Sequence, residues 1–394
     1  MDTSRWLAYF LAVFLSLSAI AIAMVEFLYY LQVGPPLAAA LGVQSRHLQA
    51  YVEDVTYLSQ FPLLASVKHG PNDAGRFLNS NLHWEPVTNR KRGLPRPIIS
   101  GKIREEILRL GVNWMRKHDR AKRMQADLSF FSGLDRFDYW DIEEMSPIED
   151  LIQENRFVPP PALPIPEISD LLAAIKLHLM VNAIDGGKPL RALKEVREFS
   201  RLLLTTENQQ LVLVGLAALD DERQAYRFYV DEEGLDPAAW SPIDRNITRR
   251  AYREILATRG YLHLWTNPET LKRIFLSKSM PVGFCAAVNE ALPEDYSLRP
   301  LLRPSVPFER SFQDQYAVLD KIFQRAKDSC RLDYLSQLMK KNNFVSELPG
   351  PLILNRIPYA RKIFGLRTAV VDFGGFDAYS ALLAYGGAKA NSGN

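Results

Sequence analysis

The most distinctive hydrophobic pattern in the chain is a run of twenty residues without a charged side chain, from 6 to 25. As a helix that rises about 1.5 Å per residue, this run spans about 30 Å, which matches the hydrocarbon core of a bilayer. Trp6 and Tyr9 lie at one end, and Tyr29 and Tyr30 lie beyond the other, as aromatic residues do at membrane interfaces. Because the run is longer than the apolar part of a signal peptide, it predicts a retained transmembrane anchor.

The charges that flank this run predict its orientation and leave one residue with two interpretations. Arg5 lies at its start, whereas the first basic residue after it is Arg46, so the positive-inside bias favours a cytoplasmic N-terminus. The body of the protein is then exported, to the periplasm or another extracytoplasmic space. Glu26 follows the run directly, and its carboxylate either pairs with a cation on a neighbouring transmembrane helix or reaches the headgroup layer beside Tyr29.

Helical periodicity continues in the region after the anchor. Residues 45–60 carry apolar side chains at i, i+3, i+4 and i+7 spacing, which predicts an amphipathic helix. A stretch rich in glycine, asparagine and proline follows over 68–97 and predicts turns. Ser100 then predicts the N-cap of a helix over about 101–125, with an apolar stripe that includes Trp114.

The second half of the chain is predicted to be strongly helical. One helix begins with the N-cap Ser169, and a second runs from Pro189 to about 204, since proline favours the first turn of a helix. Thr205 or Thr206 is predicted to cap a third, long helix that reaches about 232. This arrangement resembles a tetratricopeptide-type hairpin in outline over about one unit, which implies a bundle or a solenoid; further copies at a period of about 34 residues are not found.

The remaining patterns complete the predicted architecture. Further helices are predicted at about 243–259, 268–278, 281–291, 310–329 and 331–342, and one strand at 368–373. Prolines cluster over 158–167, which is interpreted as a semi-rigid connector, although a proline-rich ligand has the same composition. The fold class is mostly α with minor β: a single N-terminal transmembrane helix and an α-helical hairpin, bundle or solenoid-like body. The predicted parts are an anchor (1–33), a membrane-proximal helical domain (34–157), the linker (158–167) and a distal α-helical domain (168–394).

Charge is balanced overall and unbalanced locally. The chain has 47% hydrophobic and 24% charged residues and a formal net charge of +3, as is ordinary for a folded protein. Residues 90–123 contain twelve Lys or Arg and three acidic residues, whereas residues 127–154 contain nine acidic residues and one basic residue. The two blocks can neutralise each other, or the basic block can face anionic lipid or dock to an acidic partner protein. Nucleic acid is not a predicted partner, since the basic block carries no recognition module.

Docking to a partner would use charged and aromatic side chains of these two blocks. Phe137, Tyr139 and Trp140 lie close together among carboxylates, and such aromatic density marks either a local core or the anchors of a protein interface. The candidate interface residues are Arg90, Lys91, Arg92, Arg116, Lys117, Phe137, Tyr139, Trp140 and, at the membrane, Glu26.

Candidate chemistry is sparse. Asp141, Glu143 and Glu144 offer carboxylates for acid–base catalysis, but neighbours in sequence are more typical of a charged surface than of a cleft. The six histidines are scattered without the spacing of a metal site, and the sequence has neither a nucleophile elbow nor a phosphate-binding glycine loop. No cofactor, metal or catalytic residue is therefore predicted. Cys285 and Cys330 permit one disulfide or none.

These patterns predict function only by class. An anchor, helical hairpins, opposite charge blocks and the lack of catalytic motifs favour a membrane-anchored scaffold or accessory subunit of a bacterial envelope complex. Its expected partners are membrane lipid, through the N-terminal helix, and other membrane or envelope proteins. The alternatives are a membrane-tethered envelope hydrolase, which a convergent pocket with a shifted carboxylate would favour, and a helical lipid- or peptide-binding module.

Overall fold

Helices dominate the structure, which is a computed structural model that describes residues 50–64, 70–84, 98–124, 126–149, 164–184, 187–261, 268–288 and most of 317–330. Of the described residues, 67% are helical and almost none form strands. Two isolated bridges pair extended residues within this part, Asp73 with Tyr139 and Trp84 with Pro166. The prediction of a mostly α fold is confirmed.

Several predicted features lie outside the described residues and stay predictions. They are the apolar run 6–25, Glu26, Arg90, Lys91, Arg92, the prolines of 158–163, the helix at 331–342 and the strand at 368–373. No helix within the described ranges is both long and apolar enough to cross a bilayer.

The first two described helices are short. Helix α1 includes residues 50–58, where an amphipathic helix was predicted, and its inward-facing side chains Tyr51 and Leu58 are fully buried. Helix α2 covers Gly75–Asn81, inside a stretch for which composition predicted turns alone. The carboxylate of Asp73 accepts the backbone N–H of Gly75 at 3.0 Å, so a side chain typical of turns here helps a helix to begin.

The helix predicted over 101–125 is divided in two. Helix α3 covers Gly101–Leu108, and a 3₁₀ segment covers Gly111–Arg123. The hydroxyl oxygen of Ser100 accepts a backbone N–H of the first turn at 3.5 Å, which confirms the predicted N-cap. The break falls at Gly111, whose φ of +67° belongs to the left-handed region that glycine tolerates and a right-handed helix excludes.

Three longer helices follow and pack against one another as a bundle. They are α4 (Ile168–Val181), α5 (Pro189–Leu204) and α6 (Gln209–Asp231). The bounds predicted for α5 are confirmed, with Pro189 in its first turn. Helices α5 and α6 approach closely at Gly215, whose carbonyl oxygen accepts the Ser200 hydroxyl at 2.6 Å. A β-carbon at position 215 would lie 3.1 Å from the Ser200 carbonyl oxygen, so the absence of a side chain permits this contact.

The starts of two bundle helices differ from those predicted. Helix α6 is capped by Asn208, whose side-chain oxygen accepts two backbone N–H groups of the first turn at 3.1 Å each. Thr205 and Thr206 do not cap it, because their hydroxyls donate to carbonyl oxygens in the last turn of α5. Ser169 is not the cap of α4, which follows Glu167, and its hydroxyl donates to the Glu167 carboxylate at 2.5 Å. Competing local hydrogen bonds therefore decide which polar residue serves as the cap.

The remaining helices form a second region together with α1. They are α7 (Arg245–Tyr261), α8 (Pro268–Phe275) and helical residues within 284–288 and 317–330. Their positions lie close to those predicted. A disulfide joins Cys285 to Cys330, with 5.5 Å between the Cα atoms. Of the two alternatives that the sequence left open, one disulfide or none, the structure therefore has one.

Side chains from both sides of the proline stretch pack into one core. The largest buried cluster combines Trp84, Trp114 and Trp140 with Phe199 and Tyr229 of the bundle. A second cluster joins α1, α8 and the disulfide, and a third joins α1, α6 and α7. The prolines of 158–163 lie outside the described residues, so the connector stays a prediction, while the regions on its two sides share their interior.

Candidate functional site

The predicted interface residues Arg116 and Lys117 lie on the 3₁₀ segment and are exposed. Trp114 is buried in the same segment; its indole N–H donates to the Gln224 side chain at 3.1 Å, and the Lys176 ammonium lies 4.6 Å from its ring centroid. These contacts with α4 and α6 fix the segment on the bundle and hold its cations at the surface. We call these exposed cations the basic surface: Arg116, Lys117, Arg120, Lys122 and Arg123.

The cations of the basic surface differ in whether a carboxylate faces them. Arg120 lies 3.4 Å from the Glu106 carboxylate, and Lys122 lies 2.9 Å from that of Asp119. Within the basic surface, Arg116, Lys117 and Arg123 have no carboxylate partner among the residues that the structure describes, and the Lys117 ammonium donates to the Leu110 carbonyl oxygen at 3.4 Å. These three side chains are therefore able to bind an anionic group supplied from elsewhere.

The acidic block pairs with cations from other elements. Asp135 lies 3.2 Å from the Lys194 ammonium of α5, and Glu144 lies 3.6 Å from the Arg76 guanidinium of α2. Arg201 of α5 adds hydrogen bonds to backbone carbonyl oxygens at 137 and 138. These pairs attach the acidic block to the bundle and to α2, and they differ from the mutual neutralisation that was one of the predicted alternatives.

The three predicted aromatic residues have different positions. Trp140 is fully buried and its indole N–H donates to the Asn79 side chain at 2.8 Å, so it belongs to the core. Phe137 and Tyr139 are half-buried. The Phe137 ring stacks on that of Phe77 with centroids 5.6 Å apart. The cluster thus packs the acidic block against α2, and only Phe137 and Tyr139 keep part of their surface exposed.

The carboxylates considered for acid–base catalysis lie against the start of α2. Asp73 accepts the backbone N–H of Asp141 at 2.7 Å, and the backbone N–H of Glu143 donates to the Asp141 side chain at 2.8 Å. The Asp73 carboxyl also hydrogen-bonds with that of Glu144, and this contact together with burial raises the pKa of Glu144. The contacts of Asp73 with the Asp141 backbone and with the Glu144 carboxyl therefore attach the turn at 141–144 to the start of α2.

A histidine, a carboxylate and a serine, which their spacing along the chain does not reveal, meet between α4 and α5. His178 Nε2 lies 2.9 Å from Glu195 Oε2, and the Ser132 hydroxyl donates to the other carboxylate oxygen at 3.2 Å. Although burial opposes its charge, hydrogen bonds from His178 and Arg191 lower the pKa of Glu195. The His178 ring stacks on Phe131 with centroids 4.4 Å apart. Because the serine contacts the carboxylate instead of the imidazole, the set lacks the nucleophile–base contact of a hydrolase.

A cavity of about 210 Å³ opens between α1 and α8. We call it the Tyr51 cavity, and its lining includes Tyr51, Val55 and Thr56 of α1 and Arg273, Lys278 and Ser279 of α8 and the bend that follows. Arg273 and Lys278 are exposed, whereas Tyr51 is fully buried. The cavity therefore combines a cationic rim with a buried aromatic wall.

Behind Tyr51 lies the fully buried carboxyl group of Glu254, on α7. It accepts the Tyr51 hydroxyl at 3.2 Å, the Thr258 hydroxyl at 2.7 Å and the backbone N–H of Val282 at 3.2 Å. Burial raises the pKa of Glu254 to about 7, and these neutral donors oppose the effect only in part. The available sequence signal is the position of Glu254 on the inner face of α7, one turn after Ala251 and one turn before Thr258.

Glu207, Cys285 and Cys330 form the one grouping of three potential metal ligands in the described part of the chain, with ligand atoms within 4.8 Å of one another. Both sulfur atoms belong to the disulfide, so neither is available as a thiolate. With its cysteines oxidised, the grouping offers a metal ion a single carboxylate.

The basic surface and the Tyr51 cavity are two places in the described residues where exposed cationic side chains lie on elements that pack against the rest of the protein. They lie on different elements, the first on the 3₁₀ segment and the second between α1 and α8. Comparisons of the chain with protein-family models, with curated proteins and with solved structures found no match.

Proposed function

We propose that the protein is a membrane-anchored structural or accessory subunit of a bacterial envelope complex, and that its basic surface docks to an acidic partner protein. The observation that carries this proposal is that Arg116, Lys117 and Arg123 are exposed on a firmly packed segment and face no carboxylate among the described residues. Cations held in this way offer a partner both long-range attraction and a defined register.

An acidic protein fits this surface better than an anionic bilayer does. Glu105, Glu106 and Asp119 lie among the cations of the segment and of α3. A bilayer of anionic lipid presents negative charge throughout, so these carboxylates would be repelled by it. A partner protein can instead place its carboxylates opposite Arg116, Lys117 and Arg123 and avoid the three acids, which already pair with Arg109, Arg120 and Lys122.

The disulfide supports the exported location of the body. Disulfides persist in oxidising compartments and are rare in the cytosol, and Cys285 is bonded to Cys330. This agrees with the orientation predicted from the basic residues Arg5 and Arg46. The anchor itself rests on the apolar run 6–25, which lies outside the described residues.

The alternatives receive unequal support. A hydrolase would need a carboxylate that reaches its substrate, and although Glu254 has a raised pKa near a cavity, its carboxyl group is fully buried behind Tyr51. A helical binding module is the second candidate, and the Tyr51 cavity is the specific observation that favours it. Binding of a small ligand there is compatible with docking through the basic surface, because the two lie on different elements.

The test is co-purification of the full-length protein from native membranes in mild detergent, with the charges of the basic surface reversed. The test variant carries Arg116→Glu, Lys117→Glu and Arg123→Glu. Its control has the same change in net charge at exposed positions elsewhere, Lys188→Glu, Arg227→Glu and Arg249→Glu. Circular dichroism of all three proteins checks that the helical fold is kept.

A partner that co-purifies in fixed ratio with the wild type and the control, is released by salt and is lost from the test variant would support the proposal. Retention of that partner by the test variant would contradict it, as would a wild-type protein that purifies alone. Binding to anionic vesicles that depends on the same three cations, without a protein partner, would assign the surface to lipid and would also contradict the proposal.

A further inference from the structure

We propose that the Tyr51 cavity is a binding site for a small organic anion, with an oxyanion head group such as phosphate and a compact apolar group attached to it. The volume of about 210 Å³ corresponds to about seven water molecules at about 30 Å³ each. It lies below the range of about 300–1,000 Å³ that is typical of pockets for drug-sized ligands, so the ligand is small. The cavity shares no residue with the basic surface, and the two proposals can therefore fail independently.

The charge at the rim of the cavity is unbalanced. Arg273 and Lys278 are exposed, and neither has a carboxylate partner within the described ranges. The neighbouring Lys272 is different, because its ammonium lies 2.6 Å from the Glu269 carboxylate. The described lining contains no acidic residue, so an anion would meet two cations and no opposing charge.

Hydroxyl and apolar groups complete the lining. Ser279 adds a hydroxyl to the lining; its Oγ lies 3.4 Å from that of Ser59, whose hydrogen is donated to the Thr56 carbonyl oxygen at 2.8 Å. Val52, Val55 and Ile274 supply an apolar wall. This combination suits a ligand with one charged end and one apolar end, because each end finds matching groups.

The walls of the cavity are held in place by contacts outside it. Arg325 donates to the carbonyl oxygens of Phe275 and Ser277 at 2.9 and 2.5 Å and so holds the bend that follows α8. On the opposite wall, the Tyr51 hydroxyl is bound to α7 through Glu254. A preorganised site of this kind loses little conformational entropy when a ligand binds.

The experiment is calorimetric titration of the full-length protein in mild detergent with phenyl phosphate, and separately with inorganic phosphate and with phenol. The variant R273Q/K278Q removes both rim cations, and T56F narrows the cavity at an exposed position of α1. The matched control K272Q/R249Q removes two exposed cations that do not line the cavity. Circular dichroism confirms that each variant is folded before it is titrated.

Saturable one-to-one binding of phenyl phosphate, weakened at least tenfold by R273Q/K278Q and by T56F and unchanged in the control, is the expected result. Inorganic phosphate should bind more weakly, because it lacks a group for the apolar wall. The absence of saturable binding, or equal affinity in R273Q/K278Q and the control, would overturn the proposal.

The source of the ligand is distinguished by competition. If vesicles that contain phosphatidic acid displace phenyl phosphate from the wild-type protein, and addition of buffer alone does not, the natural head group belongs to a lipid. If they do not displace it, the natural ligand is a soluble ester. Both results are consistent with the binding site, because the competition is measured on phenyl phosphate that is already bound there.

Discussion

The bundle and the region around Tyr51 both bury carboxylates, and the regions differ at Glu254, which has no cation beside it among the described residues. In the bundle, Lys176 faces Asp221, and Arg197 faces Glu222. In the second region, Glu254 meets neutral donors and no cation among the described residues. Burial raises the pKa of all three carboxyl groups, but cations oppose this effect only in the bundle. The cost of removing a carboxylate from water is thus offset by charge pairing at Asp221 and Glu222, whereas at Glu254 it favours protonation near neutral pH. The second region also contains a paired acid, because buried Asp54 of α1 lies 3.4 Å from Arg250 and 3.9 Å from Arg253 of α7.

The buried acids of the two regions connect different helices. The pairs of the bundle join α4 and α5 to α6, so α6 holds the three helices through its buried acids. Glu254 joins α7 to α1 through Tyr51 and to the turn before 284–288 through Val282. The buried acids Asp221 and Glu222 of the bundle each face a cation, whereas the second region contains Glu254, whose pKa burial raises to about 7.

The largest effect should come from breaking a charge pair in the bundle. Glu222→Ala leaves Arg197 without its buried partner and removes the acceptor of the Trp240 indole N–H. We expect the free energy of unfolding to fall by about 3–5 kcal/mol, as for other broken buried pairs. Urea unfolding of the full-length protein at pH 7.5, followed by circular dichroism, measures the change.

The control for this change is an exposed pair between the acidic block and α5. Asp135 and Lys194 form an exposed pair at 3.2 Å, and Asp135→Ala should lower the free energy of unfolding by about 0–1 kcal/mol. Equal effects of Glu222→Ala and Asp135→Ala would show that burial does not strengthen the pairs of the bundle, and the contrast between the two regions would be lost.

A smaller effect, of a different kind, should come from neutralising Glu254. Its folded-state pKa of about 7 exceeds the ordinary value of 4.5, so the folded protein holds this proton more tightly than the unfolded chain does. The stability contributed by the proton is complete below about pH 4.5 and is lost as the pH rises to about 7. At about 1.4 kcal/mol per pKa unit, the loss amounts to roughly 3 kcal/mol.

Glu254→Gln keeps the shape of the side chain without an ionisable proton. We expect it to flatten the decline in stability between pH 4.5 and 7 and to leave the variant more stable than the wild type at pH 8. Urea unfolding at a series of pH values measures this, with Asp135→Asn as an exposed control. A profile that keeps the wild-type slope in this pH range would mean that Glu254 is not the group that titrates there.

The smallest effects should come from close packing at one glycine in each region. A β-carbon at Gly215 would meet the Ser200 carbonyl oxygen and Leu203 Cβ at 3.1 Å each, whereas one at Gly283 would meet side-chain carbons of Ile255 at 3.1 and 3.2 Å and its Cα at 3.3 Å. Because a backbone oxygen yields less than a side chain, Gly215→Val should cost more stability than Gly283→Val, within a range of about 1–3 kcal/mol. Thermal unfolding of both variants compares them; a larger loss for Gly283→Val would mean that the side chain of Ile255 yields less than the Ser200 carbonyl oxygen.

Much of the helical layout was predictable, because its signals are local. The bounds of α5 follow from Pro189 at its start and from an apolar face that ends at Leu204. The cap at Ser100 was predicted for the same reason. The predictions failed where two local partners competed: Thr205 and Thr206 close α5 instead of opening α6, and Gly111 divides a helix that periodicity alone would continue.

The candidate sites were predicted less well. Arg116 and Lys117 were identified because a charge block is visible in composition, and the structure places both at the surface. Trp140 was assigned either to a core or to an interface, and in the structure it is buried with its indole N–H bonded to Asn79, which lies 61 residues earlier. The Tyr51 cavity had no signal in the sequence, since its two walls come from α1 and α8, more than 200 residues apart.

The sequence by itself determined which segments are helical, where several of them begin and which blocks carry charge, because periodicity, caps and composition act over a few residues. Only the tertiary structure decided which charges are paired, that Cys285 meets Cys330 and that Glu254 meets Tyr51 across 203 positions. These contacts depend on how all the helices pack, and packing joins residues whose separation along the chain carries no record of their distance in space.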